Sequence, residues 1–591
     1  SSGGGNVVVS GTGGGIGQDS GANFGINLFG LITAGGSGSV DVTGIGGNGT
    51  AGDNHGIIIS GTGANPRISS SGTATAGDVH VTGIAGAGSS GIGIRILNTG
   101  AISTSTSGNI EVIADSIEIQ PSAGGIDAQT RMVTVRPHST GTRIDLGGVD
   151  IPTGSPLTLG LNDSELDKII ASTLRIGDTQ SGSITITSTT NPAGTSNLHL
   201  FTGGTVTQSA PIAVSGLAVE ANGRITLDTQ SNEATTIALA SLTGSVEYRD
   251  ATGFTVISVD GVAGVSAGLD IGLTAMSGNV TVADTTAIND LNAPLGVNIT
   301  LVESEALLRL QSGTKLQTGI GGNVNLIADK MDISGTISAA GQSVLLVPWS
   351  TGKAIALGSI GDNSLNSLEL SDSELDRITA GRLRIGWVDS GPITIDQAIN
   401  PALASILQLI TANGVSQSAP ITVPNLMVQA NGNIALGMTI NDVNVLAASS
   451  NSGFISFGDL DDLTIGTVAG ISGIIASAGS INLYSKGDLT INNTSALYDV
   501  SASTSVSMFV DNASGLLTLE AGSKVRSQGG DHSYVANRMA LAGTIDASNQ
   551  MVTLRPLQNT QSINLGSTTD VASQTLELSD PELDRVTAGT I

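Results

Sequence analysis

The chain has no cysteine among its 591 residues, which excludes disulfides, thiolate metal sites and cysteine nucleophiles. Aromatic residues are nearly as scarce, with 2 Trp, 4 Tyr and 7 Phe. Globular domains depend on the large area such side chains bury, so the core here must be built from small and β-branched residues. Basic residues are few as well: 22 Lys and Arg, spread along the whole chain, face 49 Asp and Glu, for a formal charge of −27. That balance argues against nucleic acid, whose phosphates call for clustered Lys and Arg, and against an anionic membrane surface. There is no run of about 18 apolar residues to span a bilayer, and no charged-then-apolar secretion signal opens the chain. Ser1 stands where an initiating Met would be, so a processed or excised piece is expected.

Glycine, by contrast, is plentiful: 82 residues, roughly twice the usual share of about 7%. It has no three-residue period, which excludes collagen. Only 12% of residues are charged and the mean hydropathy is positive, a combination foreign to disordered chains. At roughly 100–200 residues per domain the length alone would suggest three or four globular units. Internal repeats point elsewhere.

Asn162–Ile176 reads NDSELDKIIASTLRI, Ser371–Ile385 reads SDSELDRITAGRLRI, and Ser579–Ile591 reads SDPELDRVTAGTI. The Glu of this phrase falls at Glu165, Glu374 and Glu582, spacings of 209 and 208. QSAPI recurs at Gln208–Ile212 and Gln417–Ile421, and MVTVRP at Met132–Pro137 returns as VLLVP at Val344–Pro348 and MVTLRP at Met551–Pro556. The register divides the chain into glycine-rich sub-repeats over 1–107, the end of a first long repeat over 108–176, a second over 177–385 and a third over 386–591. The third stops inside its motif, from which a longer array, or an end completed by another molecule, is expected. Common solenoid units run to 20–50 residues, so a shorter period must lie within the long one.

That period shows as a stamp, Gly-x-β-x-β, in which β is Val, Ile, Leu or an aromatic. It occurs at Gly38–Val42, Gly77–Val81, Gly108–Val112, Gly182–Ile186, Gly223–Leu227, Gly244–Tyr248, Gly278–Val282, Gly322–Leu326, Gly391–Ile395, Gly432–Leu436, Gly453–Phe457, Gly479–Leu483 and Gly487–Ile491. Alternation over five residues marks a half-buried strand, and the leading Gly supplies the turn. Sandwiches and barrels need long-range pairing and give no reason for a self-similar register over hundreds of residues. A parallel β-solenoid does, because each coil stacks its strands on the coil before. Coils of about 21 residues would number roughly 28 and, at about 4.8 Å each, make a rod of about 130 Å. Asn follows Gly at Asn6, Asn109, Asn279, Asn323 and Asn433, where hydrogen-bonded Asn ladders between coils are expected.

The segments GSVDVTGIGGNGT (38–50) and GDVHVTGIAGAGSSG (77–91), with SELDRITAGRLRIG (373–386), resemble the repeat regions of very large filamentous-haemagglutinin-like exoproteins of bacteria. The resemblance is one of repeat style and covers essentially the whole chain. It implies right-handed parallel β-helices, export across the outer membrane, an extracellular or cell-surface location, and roles in adhesion, aggregation or surface fibres. Because an unpaired solenoid end is a row of open hydrogen-bonding groups, self-association into fibres or with neighbouring repeats is expected, with cell-surface or matrix polysaccharide as a further partner.

Motifs that carry chemistry are weak. The paired carboxylates of the repeated phrase, such as Asp372, Glu374 and Asp376, allow a surface calcium site, but their spacing does not make an EF-hand. Ser371-x-x-Glu374, Asn162…Glu165 and Ser579…Glu582 also read as capping boxes opening a short helical turn, with Pro581 fitting its start. This is the preferred reading. Two G-x-G-x-x-G matches, Gly44–Gly49 and Gly86–Gly91, lack the following helix of a dinucleotide site and read as turns. Gly264-Val265-Ser266-Ala267-Gly268 matches a nucleophile elbow without its frame, and also reads as a turn. His55, His80, His138, His199 and His532 show no ligand spacing and are expected at solvated positions. Asp459-Leu460-Asp461-Asp462 is the densest carboxylate cluster outside the repeats and is expected to be a solvated loop; Trp349 and Trp387 are too few for a sugar track. No catalytic, cofactor or metal residue is assigned. A structural fibre or adhesin segment is the first expectation, and a β-helix polysaccharide lyase or glycoside hydrolase the alternative.

Overall fold

In the computed structural model each glycine stamp opens a strand, and buried residues alternate with half-buried or exposed ones, as in Val40–Ile45, Val79–Ile84, Ile184–Ile186 and Ile481–Ser485. The structure describes residues 3–15, 22–49, 52–61, 65–72, 75–88, 90–105, 107–359, 361, 364–567, 569, 572 and 575–591. Thr50 and Ser89, which fall in the quoted glycine-rich segments, lie outside them. The chain forms two compact units, Ser1–Pro294 and Leu295–Ile591. Each is a parallel β-solenoid.

In the first unit one apolar residue per coil forms an unbroken in-register row: Val9, Val42, Val81, Val112, Val135, Ile176, Leu200, Val219, Leu239, Val265 and Leu291. In the second unit the row runs Ile299, Leu326, Leu346, Ile385, Leu409, Val428, Ala448, Ile474, Val500, Val525, Ile545 and Val586. Each fully buried Ile or Leu contributes about 1.5–3 kcal/mol by leaving water, and the stack repeats the gain at every coil. The widest side chains find little room inside: Tyr248, Tyr534 and Phe457 are fully buried, whereas Trp349 and Trp387 lie outside, partly exposed.

Coil length departs from the expected 21 residues. Leu200 pairs with Val219, a step of 19, whereas Val135 pairs with Ile176, a step of 41. The ladder fixes only the strands, so extra residues collect in the turns between them. The 41-residue coil uses its excess to hold the pair Arg143–Leu146 and Thr158–Leu161 and the helix Asp163–Leu166.

The Val-Thr-Gly sub-repeat is the register of the first coils, since Gly11 pairs with Gly44 and Gly44 with Gly83. A Cβ at these positions would sit 2.2, 2.4 and 2.2 Å from the carbonyl oxygens of Gly25, Gly56 and Gly93. Only glycine lets the neighbouring segment pass so close. The Asn ladders take a different form from the one expected. Asn6, Asn109, Asn323 and Asn433 accept from the backbone N–H of Ser39, Met132, Ser343 and Phe454 on the next coil, at 3.0–3.2 Å. The residue stacked on each is Ser39, Met132, Ser343 or Phe454 and not a second Asn, so the amide bonds backbone.

Gly44→Ala is expected to destabilise the first unit by about 1–3 kcal/mol, because the added methyl meets backbone that the ladder holds fixed. Denaturant unfolding of the variant beside the parent chain checks this.

Candidate functional site

The residues that recur at the long period are committed to structure. In Asp163–Leu166, Asp372–Leu375 and Asp580–Leu583 the phrase forms a single helical turn with a capping box, as expected from sequence. Its Glu does more than cap. One oxygen of Glu165, Glu374 and Glu582 accepts from the N-cap backbone at 3.0, 2.8 and 2.8 Å. The other accepts from Ile119, Ile333 and Leu541 N–H on a preceding coil, at 3.2, 2.8 and 2.9 Å. Asp163 and Asp372 take the N–H of Asn191 and Asn400 on the following coil. The carboxylates of the phrase thus staple three coils together and do not converge on a cation. Among the described residues no group of three or more His, Asp or Glu is placed to hold a metal.

Inside the solenoid, QSAPI serves a second staple. Gln208 and Asn232 exchange two amide hydrogen bonds of 3.0 and 3.1 Å, and Asn232 also accepts from Ile212 N–H. Gln417, Asn441 and Ile421 repeat the arrangement. A third staple joins Asp115, Asp329 and Asn537 to the backbone of Ser139, Ser350 and Leu557.

Asp459 corrects the solvated-loop expectation. It is fully buried, ends the strand Ile455–Asp459, and accepts from Val443 N–H at 3.0 Å. It also belongs to the repeat, because Asp250, 209 residues earlier, accepts from Ala234 in the same way. Leu460, Asp461 and Asp462 are exposed, as a solvated loop requires, and the strand's alternation turns Asp459 alone inward. Burial pushes its carboxyl up to about 7, and the same cause carries Asp150 to about 8.

The histidine expectation is corrected too, since His55, His199 and His532 are buried. His55 accepts from Ile92 N–H at 2.9 Å and stacks on Phe24. His532 lies 2.8 Å from the Tyr534 hydroxyl, and burial lowers it to about 4. Both are interior struts.

His199 belongs to the constellation that breaks the repeat. The hairpin Ser258–Val259 with Val262–Ala263 leaves the parallel ladder, and its apolar residues pack on Ala218 and Ala238 of the sheet face. At its turn Asp260, with a left-handed φ of 45°, reaches back to Arg175 Nη2 at 2.8 Å and His199 Nδ1 at 2.7 Å. Burial raises the Asp260 carboxyl, and the bonds to His199 and Arg175 outweigh it, leaving it below its ordinary value. His199 Nε2 is 3.2 Å from Glu220 Oε1 without hydrogen-bond geometry. Beside Glu220 opens a cleft of about 650 Å³, lined by Phe201, Asn222, Leu242, Ser266 and Asn292 among others. Ser266, expected in a turn, stands in the strand Val265–Ser266.

At the positions 209 residues later the second unit has Gln408 for His199, Ile410 for Phe201, Gln429 for Glu220 and Ala469 for Asp260. There the corresponding hairpin, Thr467–Val468 with Ile471–Ser472, closes over an apolar cluster of Ile410, Met427, Ala447 and Val468. Arg384, the counterpart of Arg175, stacks instead on Trp387, 3.7 Å from its ring centre. Both hairpins rest on an apolar seat, and the first adds a polar lock for which the second has Gln408 and Ala469 in place of His199 and Asp260. Comparing the repeats position by position would have picked out these residues from sequence.

The class is therefore a tandem-repeat parallel β-solenoid in which one copy carries a distinct cleft. No family model matches the chain, and no curated protein or solved structure matches it either.

Two tests follow from these assignments. Glu374→Ala leaves buried backbone N–H groups without acceptors and is expected to cost about 1–3 kcal/mol, measured by denaturant unfolding. For Asp459 the folded carboxyl holds its proton to about pH 7, while the unfolded one loses it near 3.8. Its contribution is full below 3.8 and is lost as pH rises to 7, with a slope of at most about 1.4 kcal/mol per pH unit. The stability of Asp459→Asn relative to the parent is thus expected to rise between pH 4 and 7 and then level off, read from unfolding midpoints across that range.

Proposed function

We propose that this chain is a structural repeat segment of an extracellular bacterial fibre or giant surface adhesin, acting mechanically. The observation that supports this reading is the fate of the recurrent polar residues. Glu165, Glu374 and Glu582, the Gln208–Asn232 and Gln417–Asn441 pairs, and Asp250 and Asp459 all bond backbone or one another between coils. What the repeat preserves is stiffness. The acidic surface keeps such units soluble, and an open coil end offers unpaired backbone groups for axial association. No helix among the described residues is long and apolar enough to cross a membrane.

Electron microscopy over a concentration series is expected to show axial or lateral association into fibres. Monodisperse particles at every concentration would count against it. The cleft beside Glu220 favours one second reading, a lyase or hydrolase acting on extracellular polysaccharide. Such an enzyme needs convergent acid and base groups, and release of reducing or unsaturated ends from a polysaccharide panel would establish it.

A further inference from the structure

We infer that the cleft of the first unit binds a neutral glycan chain laid across successive coils. The inference stands apart from the fibre reading, since it concerns residues in which the two repeats differ. The cleft floor is one register row of outward-facing residues: Phe201 pairs with Glu220, Glu220 with Ala240, Ala240 with Ser266, and Ser266 with Asn292. With strands about 4.8 Å apart, the row spans roughly 19 Å, the length of about four pyranose units in an extended chain. One step of the row therefore matches about one sugar repeat.

The chemistry of the row selects the ligand. Backbone N–H and C=O groups beneath it are spent in the parallel ladder, so a peptide could not add to it as a strand. The lining contains neither Lys nor Arg but does contain the carboxylate of Glu220, and Arg175 is held by Asp260, so the cleft itself disfavours an acidic polymer. Present instead are an aromatic ring, a carboxylate, two amides and several hydroxyls, among them Phe201, Glu220, Asn222, Ser266 and Asn292. A pyranose offers an apolar C–H face for the ring and neighbouring hydroxyls for the carboxylate and amides. Small residues at Ala240 and Ala267 leave the floor open, and Leu242, 75% exposed, forms an apolar rim.

The buried lock positions the carboxylate. His199 is fully buried, tied at Nδ1 to Asp260, and its Nε2 abuts Glu220 without a hydrogen bond of its own. Arg175 anchors Asp260 from two coils before the Glu220 strand. The second unit keeps only the arginine of this set, and its hairpin covers Ile410 and Met427, which stand at the positions of Phe201 and Ala218.

The test is calorimetric titration of the whole chain with cellohexaose, chitohexaose, laminarihexaose and mannohexaose, and with oligogalacturonate as the acidic control. Binding of at least one neutral hexamer, weakened about tenfold or more in Phe201→Ile/Glu220→Gln, is expected. That variant carries residues the second unit already accommodates in the same frame, and a far-ultraviolet spectrum and melting curve like the parent's show that it folds. Absence of binding to every neutral hexamer, binding confined to oligogalacturonate, or equal affinity in the folded variant would each overturn the inference.

Discussion

Each coil of these solenoids must place one strand in register on its predecessor, and almost every other property is conditioned by that requirement. The parallel ladder consumes the backbone's polar groups and brings like side chains into rows. A row of Val, Ile and Leu then packs without the volume of aromatics, because the width it fills is small and constant. Low aromatic content and high glycine content are two consequences of one geometry: narrow interior, tight turns.

Registration also needs guarding, since apolar rows alone would tolerate a slip by one coil. The buried amides and carboxylates supply the guard. Asn232 and Asn441 have no exposure, and a slip would strand their donors and acceptors in an apolar interior. The same logic explains why the long repeat is about ten times longer than one short coil. Staples of several kinds are distributed over the 209-residue frame, so only a shift by the whole frame restores all of them.

Much of the fold was legible. Gly-x-β-x-β marked strands because period-2 alternation and a turn residue are local properties, and the capping boxes at Asn162, Ser371 and Ser579 were equally local. Coil length was less legible, since an excursion such as 137–168 can take up extra residues, here a further strand pair and a helical turn, without disturbing the register of the coils on either side. The inward turn of Asp459 and the burial of His199 depend on strand phase and on a hairpin folding back over distant coils. Arg175 and Asp260 are 85 residues apart, and no local pattern links them. The difference between repeats at 199, 201, 220 and 260 is nonetheless present in the sequence, as single substitutions within an otherwise matching register.

The hairpin at Ser258–Ala263 also bears on how the first unit carries load. Its apolar residues rest on Ala218 and Ala238 while Asp260 grips Arg175 and His199, so one short excursion touches four consecutive strands of the stack. Tension along a plain solenoid peels coils away in series, one row of hydrogen bonds at a time. Where the hairpin lies, the four strands are strapped in parallel, and their rows must yield together. The hairpin that holds His199 against Glu220 at the edge of the cleft is in this way also a local reinforcement of the stack.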